Sequence, residues 1–84
     1  MPEIARFYGL IIKMFFRNKE HDPPHIHVIY GEYTGLINLY NGEMLEGDLP
    51  ARAYRLVKDW YDANKNELLE MWNKQDFKKL PPLE

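Results

Sequence analysis

The sequence contains no cysteine and no serine. Without cysteine, the chain has neither a disulfide framework nor a cysteine-based zinc site. Because a secreted domain of this size usually depends on such cross-links, we expect a cytoplasmic protein. The same two absences exclude covalent catalysis by a serine hydroxyl or a cysteine thiol.

Long hydrophobic runs are also missing. Lys13 and Arg17 interrupt the apolar residues that follow Gly9, so no stretch approaches the roughly 20 apolar residues of a membrane span. The segment Met1-Pro2-Glu3-Ile4 has no basic region leading into an apolar one, so we expect no signal peptide. We therefore expect no association with a membrane.

The composition is that of one small folded domain, residues 1–84. Of its residues, 45% are hydrophobic and 14% aromatic, enough for a thin core. The net charge of −2 gives no general attraction to nucleic acid. Residues 28–50 contain four acidic groups and no lysine or arginine, so a polyanion would contact the flanking segments instead.

Hydrophobic alternation predicts an antiparallel meander of three to four strands between about residues 4 and 46. Strand 9–17 alternates, which predicts a buried face that excludes Lys13 and Arg17. Its buried residues would be Leu10, Ile12, Met14 and Phe16. Strands are also expected at 25–30, 34–40 and 44–46, with a hairpin turn at Asn41-Gly42.

Two helices are expected between about residues 50 and 78. Asp48-Leu49-Pro50 resembles a helix start with an acidic cap. Ala53, Leu56, Val57 and Trp60 then follow the spacing of a buried helical stripe. Asn64 and Glu67 resemble a capping box, which predicts a break, although one bent helix is the alternative. The predicted fold is α+β, with both helices packed on one face of the sheet.

All three histidines lie in the segment His21-Asp22-Pro23-Pro24-His25-Ile26-His27. On a strand, His25 and His27 share one face, about 6.6 Å apart at roughly 3.3 Å per residue. If strands 9–17 and 25–30 pair, Lys13 and Arg17 lie on that same face, away from the helices. The two prolines stiffen the loop that carries His21.

Three functions fit this histidine surface. The first is acid–base cleavage of RNA, with His25 and His27 as acid and base, His21 as an auxiliary, and Lys13 and Arg17 as phosphate contacts. The second is a zinc site formed by His21, His25 and His27, supported by Asp22 or Glu20. The third is a binding surface for a partner protein, without chemistry. The residues alone favour the third, because motifs outside their structural context are often coincidental.

The chain resembles a small bacterial family catalogued as domain of unknown function 4160. The resemblance covers nearly the whole chain, and the Pro-Pro-His-x-His core is its most specific part. The other matching residues are Arg6, Phe7, Gly9, Gly47-Asp48-Leu49-Pro50, Arg52, Ala53, Leu56, Val57, Trp60, Leu68 and Trp72. The chain departs from the family at Glu20, where aspartate is common, and at Ile26, where an aromatic residue is common.

The resemblance supplies no established activity and no catalytic residue. It implies small partners encoded in pairs, as in toxin–antitoxin modules, and therefore a cognate protein partner encoded nearby. We accordingly predict a toxin–antitoxin component, either a ribonuclease-like toxin that acts on RNA without a cofactor or a non-enzymatic binding module such as an antitoxin. A zinc-dependent hydrolase is the third alternative.

Overall fold

The computed structural model describes residues 3–14 and 23–82. These form one antiparallel sheet in the order β1-β2-β3-β4-β5, followed by one helix. The α+β prediction is confirmed, but the sheet has five strands, and one helix replaces the two expected. The elements are β1 Glu3–Phe7, β2 Leu10–Lys13, β3 His25–Tyr30, β4 Tyr33–Asn38, β5 Met44–Gly47 and α1 Ala51–Lys74.

The strand β1 is not predicted by the sequence pattern because the turn that follows it is unusual. Phe7 pairs with Leu10, so only Tyr8 and Gly9 connect β1 to β2. Both turn residues have positive φ, 48° for Tyr8 and 81° for Gly9. Turns of this kind match the strand twist but favour Asn-Gly, so Tyr-Gly is a weak hairpin signal.

The faces of β2 are as predicted within the described residues. Leu10 and Ile12 are fully buried on the helix side, and Met14 just beyond the strand is buried with them. Lys13 is half-buried on the other face. The remaining residues of this prediction, Phe16 and Arg17, lie outside the described residues.

The helix α1 runs without a break because its buried stripe continues past Asn64. The expected capping box is wrong: the Asn64 side chain donates a hydrogen bond to the Trp60 carbonyl four residues earlier, at 2.9 Å. No glycine or proline interrupts the segment, and the burial of a continuous apolar stripe outweighs a local cap signal. Its buried residues are Ala53, Val57, Trp60, Tyr61, Leu68, Met71 and Trp72.

The start of α1 also differs from the prediction. Pro50 is the flanking residue, and no side chain caps the helix. The backbone N–H of Asp48 instead donates to the Thr34 carbonyl at 2.8 Å, which extends the pairing of β4 with β5. The predicted hairpin at Asn41-Gly42 is confirmed, and the pairing of β4 with β5 contains an irregularity beside Leu36.

The two edge strands of the sheet, β1 and β5, differ in whether another segment of the chain covers them. Along β1, the chain after α1 returns, and the N–H of Leu80 donates to the Ile4 carbonyl at 2.7 Å. Leu80 is buried there, and the Trp60 indole N–H donates to the Pro81 carbonyl at 2.8 Å. At the opposite edge, most of β5 is exposed.

In the part of the chain that the structure describes, the helix lacks the apolar length that a bilayer crossing needs.

Candidate functional site

One row of side chains crosses all five strands on the sheet face opposite α1, here called the open face. Each strand contributes one residue to this row, and each of these residues is the Cα partner of its neighbour in the row. Residues directly opposite in an antiparallel pair have Cβ atoms about 4.5 to 5.5 Å apart. The cross-strand row is Glu3, Lys13, His27, Leu36 and Glu46.

A cleft of about 510 Å³ lies on the open face over this row. Its lining combines apolar and polar side chains, with Ile29 and Leu36 near Lys13, His27 and Glu46. Both Ile29 and Leu36 are half-buried, so the cleft offers apolar surface to a ligand. The open cleft is lined by Lys13, His27, Val28, Ile29, Thr34, Gly35, Leu36, Glu46 and Gly47.

His25 lies beside this cleft but is buried, with 5% of its surface exposed. Its Nδ1–H donates a hydrogen bond to the Pro23 carbonyl at 2.9 Å. Since a carbonyl oxygen can only accept, this bond places the proton on Nδ1 and leaves Nε2 as the acceptor in the neutral ring. The ring centre lies 5.3 Å from that of Trp72 in α1. The expectation that His25 lies on a face away from the helices is therefore wrong.

His25 and His27 are neighbours, as the strand spacing predicts. Their ring centres are 5.3 Å apart, with 56° between the ring planes. Lys13 is the Cα partner of His27 on β2, so His27 lies beside both Lys13 and His25. His21 and Arg17, the other two predicted site residues, lie outside the described residues. The assignment of catalytic and phosphate-binding roles remains a prediction.

The zinc alternative depends on His21, which is not described. Among residues 3–14 and 23–82, no three histidine, aspartate or glutamate side chains are grouped so that they could hold a metal ion. His25 and His27 would supply two ligands of such a site. Asp22 and Glu20, the proposed supporting acids, also lie outside the described residues.

The electrostatics of the open face are mixed in sign. A hydrogen bond from Arg6 lowers the pKa of Glu3 below its ordinary value, and the charges of Lys79 and Lys13 act in the same direction. Glu3 is therefore ionised at neutral pH next to its strand partner Lys13. Glu46 carries a second carboxylate at the far end of the row. Lys13 is thus a cation within a row that carries two acids.

Leu36, Thr34 and Glu46 are site residues that sequence reasoning does not identify. The Asn41-Gly42 hairpin indicates that β4 and β5 pair, but not which residues are opposite. The irregularity between Leu36 and Ile37 shifts the register, and each shift of one residue exchanges the two faces. Only the tertiary structure brings Glu46 into the same row as His27.

The fold and the site define a small α+β protein with a meander sheet, one covering helix and an open face on which His27 lies next to the buried His25. The chain belongs to the family described as domain of unknown function (DUF4160), whose model matches residues 9–73. No curated protein and no solved structure matches the chain.

Proposed function

We propose that this protein is the binding member of a two-protein module of the toxin–antitoxin type, acts in the cytoplasm and binds its cognate partner through the open cleft. The arrangement of apolar and polar side chains in that cleft is the main support for the proposal. Protein interfaces have an apolar centre and a polar rim, and Ile29 and Leu36 lie among Lys13, His27 and Glu46 in this way. The paired-gene context implied by the family resemblance supports a protein as the partner.

The charge of the cleft favours a protein over RNA. Binding to a phosphate backbone requires several uncompensated cations. Lys13 is the cation of the open cleft among the described residues, and its strand partner Glu3 is an ionised acid. Residues 28–50, which supply most of the cleft, contain four acidic groups and no lysine or arginine.

The proposed function is tested by co-expression with the neighbouring gene and affinity purification through a tag on this protein. We expect the neighbour's product to co-purify, and the Ile29→Glu variant to retain about one tenth or less of it, because a buried unpaired charge opposes binding. Arg55→Glu, on an exposed position of α1, is the matched control and should retain the partner. Melting curves of both variants establish that each is folded.

A normal yield of partner with Ile29→Glu would contradict the cleft as the binding surface. Absence of any co-purifying neighbour would contradict the module itself. Growth assays then show which member of the pair is toxic and which neutralises it. Expression of this protein alone should permit growth if it is the neutralising member.

RNA cleavage is the second candidate function, favoured by the contact between the two imidazoles. The Nδ1–H of His25 is fixed by the Pro23 carbonyl, and the ring of His27 lies 5.3 Å from that of His25. This is the arrangement that an acid–base pair requires, but a catalytic group must also reach its substrate. His25 is only 5% exposed, and this burial, together with the charge of the cleft, is why we rank RNA cleavage second.

Purified protein and a labelled RNA separate the two functions. Cleavage that persists in a chelator, has a bell-shaped pH profile and is lost in His27→Ala would favour the RNA-directed toxin. Cleavage that the chelator abolishes would favour the zinc alternative. No turnover at any pH, together with co-purification of the neighbour, is the result that we expect.

A further inference from the structure

The exposed strand β5 is the feature from which a more specific mode of binding follows. A strand at a sheet edge presents unpaired backbone N–H and C=O groups that can pair with another strand. The β1 edge already has such a partner, since Leu80 donates to Ile4. On β5, Leu45, Glu46 and Gly47 are exposed, and 45% of the Leu45 surface is accessible.

Clefts lie on both sides of β5. On the open face, Glu46 and Gly47 border the open cleft. On the helix side, Met44 borders a second cleft of about 480 Å³, which we call the β5–α1 cleft. Successive side chains of a strand point to opposite faces, so a strand added to β5 would direct alternate side chains toward these two clefts. The β5–α1 cleft is lined by Glu43, Met44, Leu49, Ala51 and Tyr54.

The charge around β5 specifies the composition of the added strand. Glu43, Glu46 and Asp48 are exposed along this edge, and residues 28–50 include no lysine or arginine. Lys58 of α1 approaches Gly42, at the hairpin end of the strand. Opposite charges across a strand pair stabilise it, and like charges directly opposite destabilise it.

A second copy of this chain is a poor occupant for the same reason. Antiparallel pairing of two β5 strands would bring the acidic edges of both copies together. A partner strand rich in lysine or arginine would be selected over a copy of the chain itself.

We propose that the partner protein binds by adding an extended segment to β5, with apolar side chains in the β5–α1 cleft and lysine or arginine side chains facing Glu46 and its neighbouring acids. This inference rests on the proposed function, which it deepens by naming the binding mode and the partner's chemistry. Main-chain hydrogen bonds to β5 supply affinity, and the alternation of apolar and basic residues supplies specificity.

The test uses the isotopically labelled full-length protein and a short synthetic peptide in which valine and lysine alternate. We expect this peptide to shift the backbone amide resonances of Met44–Gly47 and to slow their hydrogen exchange. A matched peptide of alternating valine and glutamate should leave these resonances unchanged. A third peptide, N-methylated on alternate backbone nitrogens, should bind about tenfold or more weakly because it lacks strand hydrogen-bond donors.

Two protein variants support the same test. Leu45→Pro removes a backbone N–H on β5 and should weaken binding of the valine–lysine peptide by about tenfold if that N–H pairs with the added strand. Because this variant can also disturb the hairpin, a second one, Glu43→Gln/Glu46→Gln/Asp48→Asn, changes charge alone. It should bind the peptide about tenfold more weakly. Melting curves confirm that both are folded.

Unchanged β5 resonances with the valine–lysine peptide would overturn the inference, and so would equal binding of the valine–glutamate peptide. Dimerisation of the free protein through β5 in sedimentation would overturn the choice of occupant. Undiminished co-purification of the neighbour's product with both variants would overturn edge pairing and leave the proposed function standing. Failure of the neighbour to co-purify with the unmodified protein would instead overturn the proposed function.

Discussion

The imidazole of His25 packs against the indole of Trp72, with 5.3 Å between ring centres. This contact joins the first residue of β3 to the last turns of α1. It explains why His25 is buried while His27, two residues further along the strand, is half-buried beside the open cleft. The two histidines of one motif therefore have different structural roles.

We predict that His25→Ala destabilises the fold and that His27→Ala does not. His25→Ala loses both the contact with Trp72 and the hydrogen bond to the Pro23 carbonyl, and should lower the free energy of unfolding by about 1 to 3 kcal/mol. His27→Ala should change it by less than about 1 kcal/mol. Urea denaturation of both variants measures the difference. His25→Asn, which retains a donor near Nδ1, should recover part of the loss; equal stability of the two alanine variants would contradict the structural role.

We predict that the tail after α1 protects the β1 edge. Removing residues 79–84 exposes the backbone of Ile4 and deletes the buried Leu80, and should lower the free energy of unfolding by about 2 to 4 kcal/mol. Leu80→Ala should have a smaller effect in the same direction, and the adjacent exposed Lys79→Ala should have none. Denaturation curves measure stability, and size-exclusion chromatography should detect new association of the shortened chain. A shortened chain as stable as the full one would contradict the role of the tail.

We predict that Tyr8→Asn stabilises the protein. Tyr8 has a φ of 48°, a left-handed conformation that costs most residues about 1 to 2 kcal/mol. Asparagine tolerates this conformation and is preferred before glycine in such turns. Tyr8 also makes an edge contact with Phe7, with 6.2 Å between ring centres. Because Tyr8 is 59% exposed, the loss of this contact costs less than the relief of the backbone, and the free energy of unfolding should rise by about 0.5 kcal/mol. Thermal denaturation measures this gain in stability. Tyr33→Asn is the control and should lower the melting temperature. A lower melting temperature for Tyr8→Asn would contradict the prediction.

We predict that the hydroxyl of Tyr61 makes stability depend on alkaline pH. Burial raises the pKa of Tyr61 above its ordinary value of 10.0, and the charge of Asp62 raises it further. The hydroxyl donates a hydrogen bond to the Leu39 carbonyl at 2.7 Å. Because the folded-state pKa is above the unfolded one, the stabilisation is complete below pH 10 and is lost as the pH rises through the folded-state pKa.

Comparison with Tyr61→Phe isolates this group. Near neutral pH the unmodified protein should be more stable, by about 1 kcal/mol for the hydrogen bond. Above pH 10 the advantage should shrink, because phenylalanine cannot ionise. Tyr40→Phe, at a residue that is 60% exposed, should show no such convergence. Parallel pH profiles for the unmodified protein and Tyr61→Phe would contradict the assignment.

Part of the candidate site follows from local periodicity alone. The spacing of His25 and His27 predicts neighbouring rings, and the alternation of Leu10, Ile12 and Met14 predicts that Lys13 faces away from the core. These predictions are confirmed because a strand fixes the direction of each side chain relative to its neighbours in sequence. The predicted acidic cap and the break near Asn64 were wrong because they rest on single side chains, which pairing in the sheet and a continuous buried stripe outweigh.

Four features follow from the sequence alone: the α+β class, the buried face of β2, the Asn41-Gly42 hairpin and the proximity of the two histidines. Each depends on residues close together in the chain, whose geometry is set by the backbone period or by one turn. Three others depend on the folded chain: Trp72 buries His25, Leu80 covers the β1 edge, and Glu46 shares a row with Lys13. These contacts join distant segments, and their register depends on a bulge and on helix packing that no local pattern encodes.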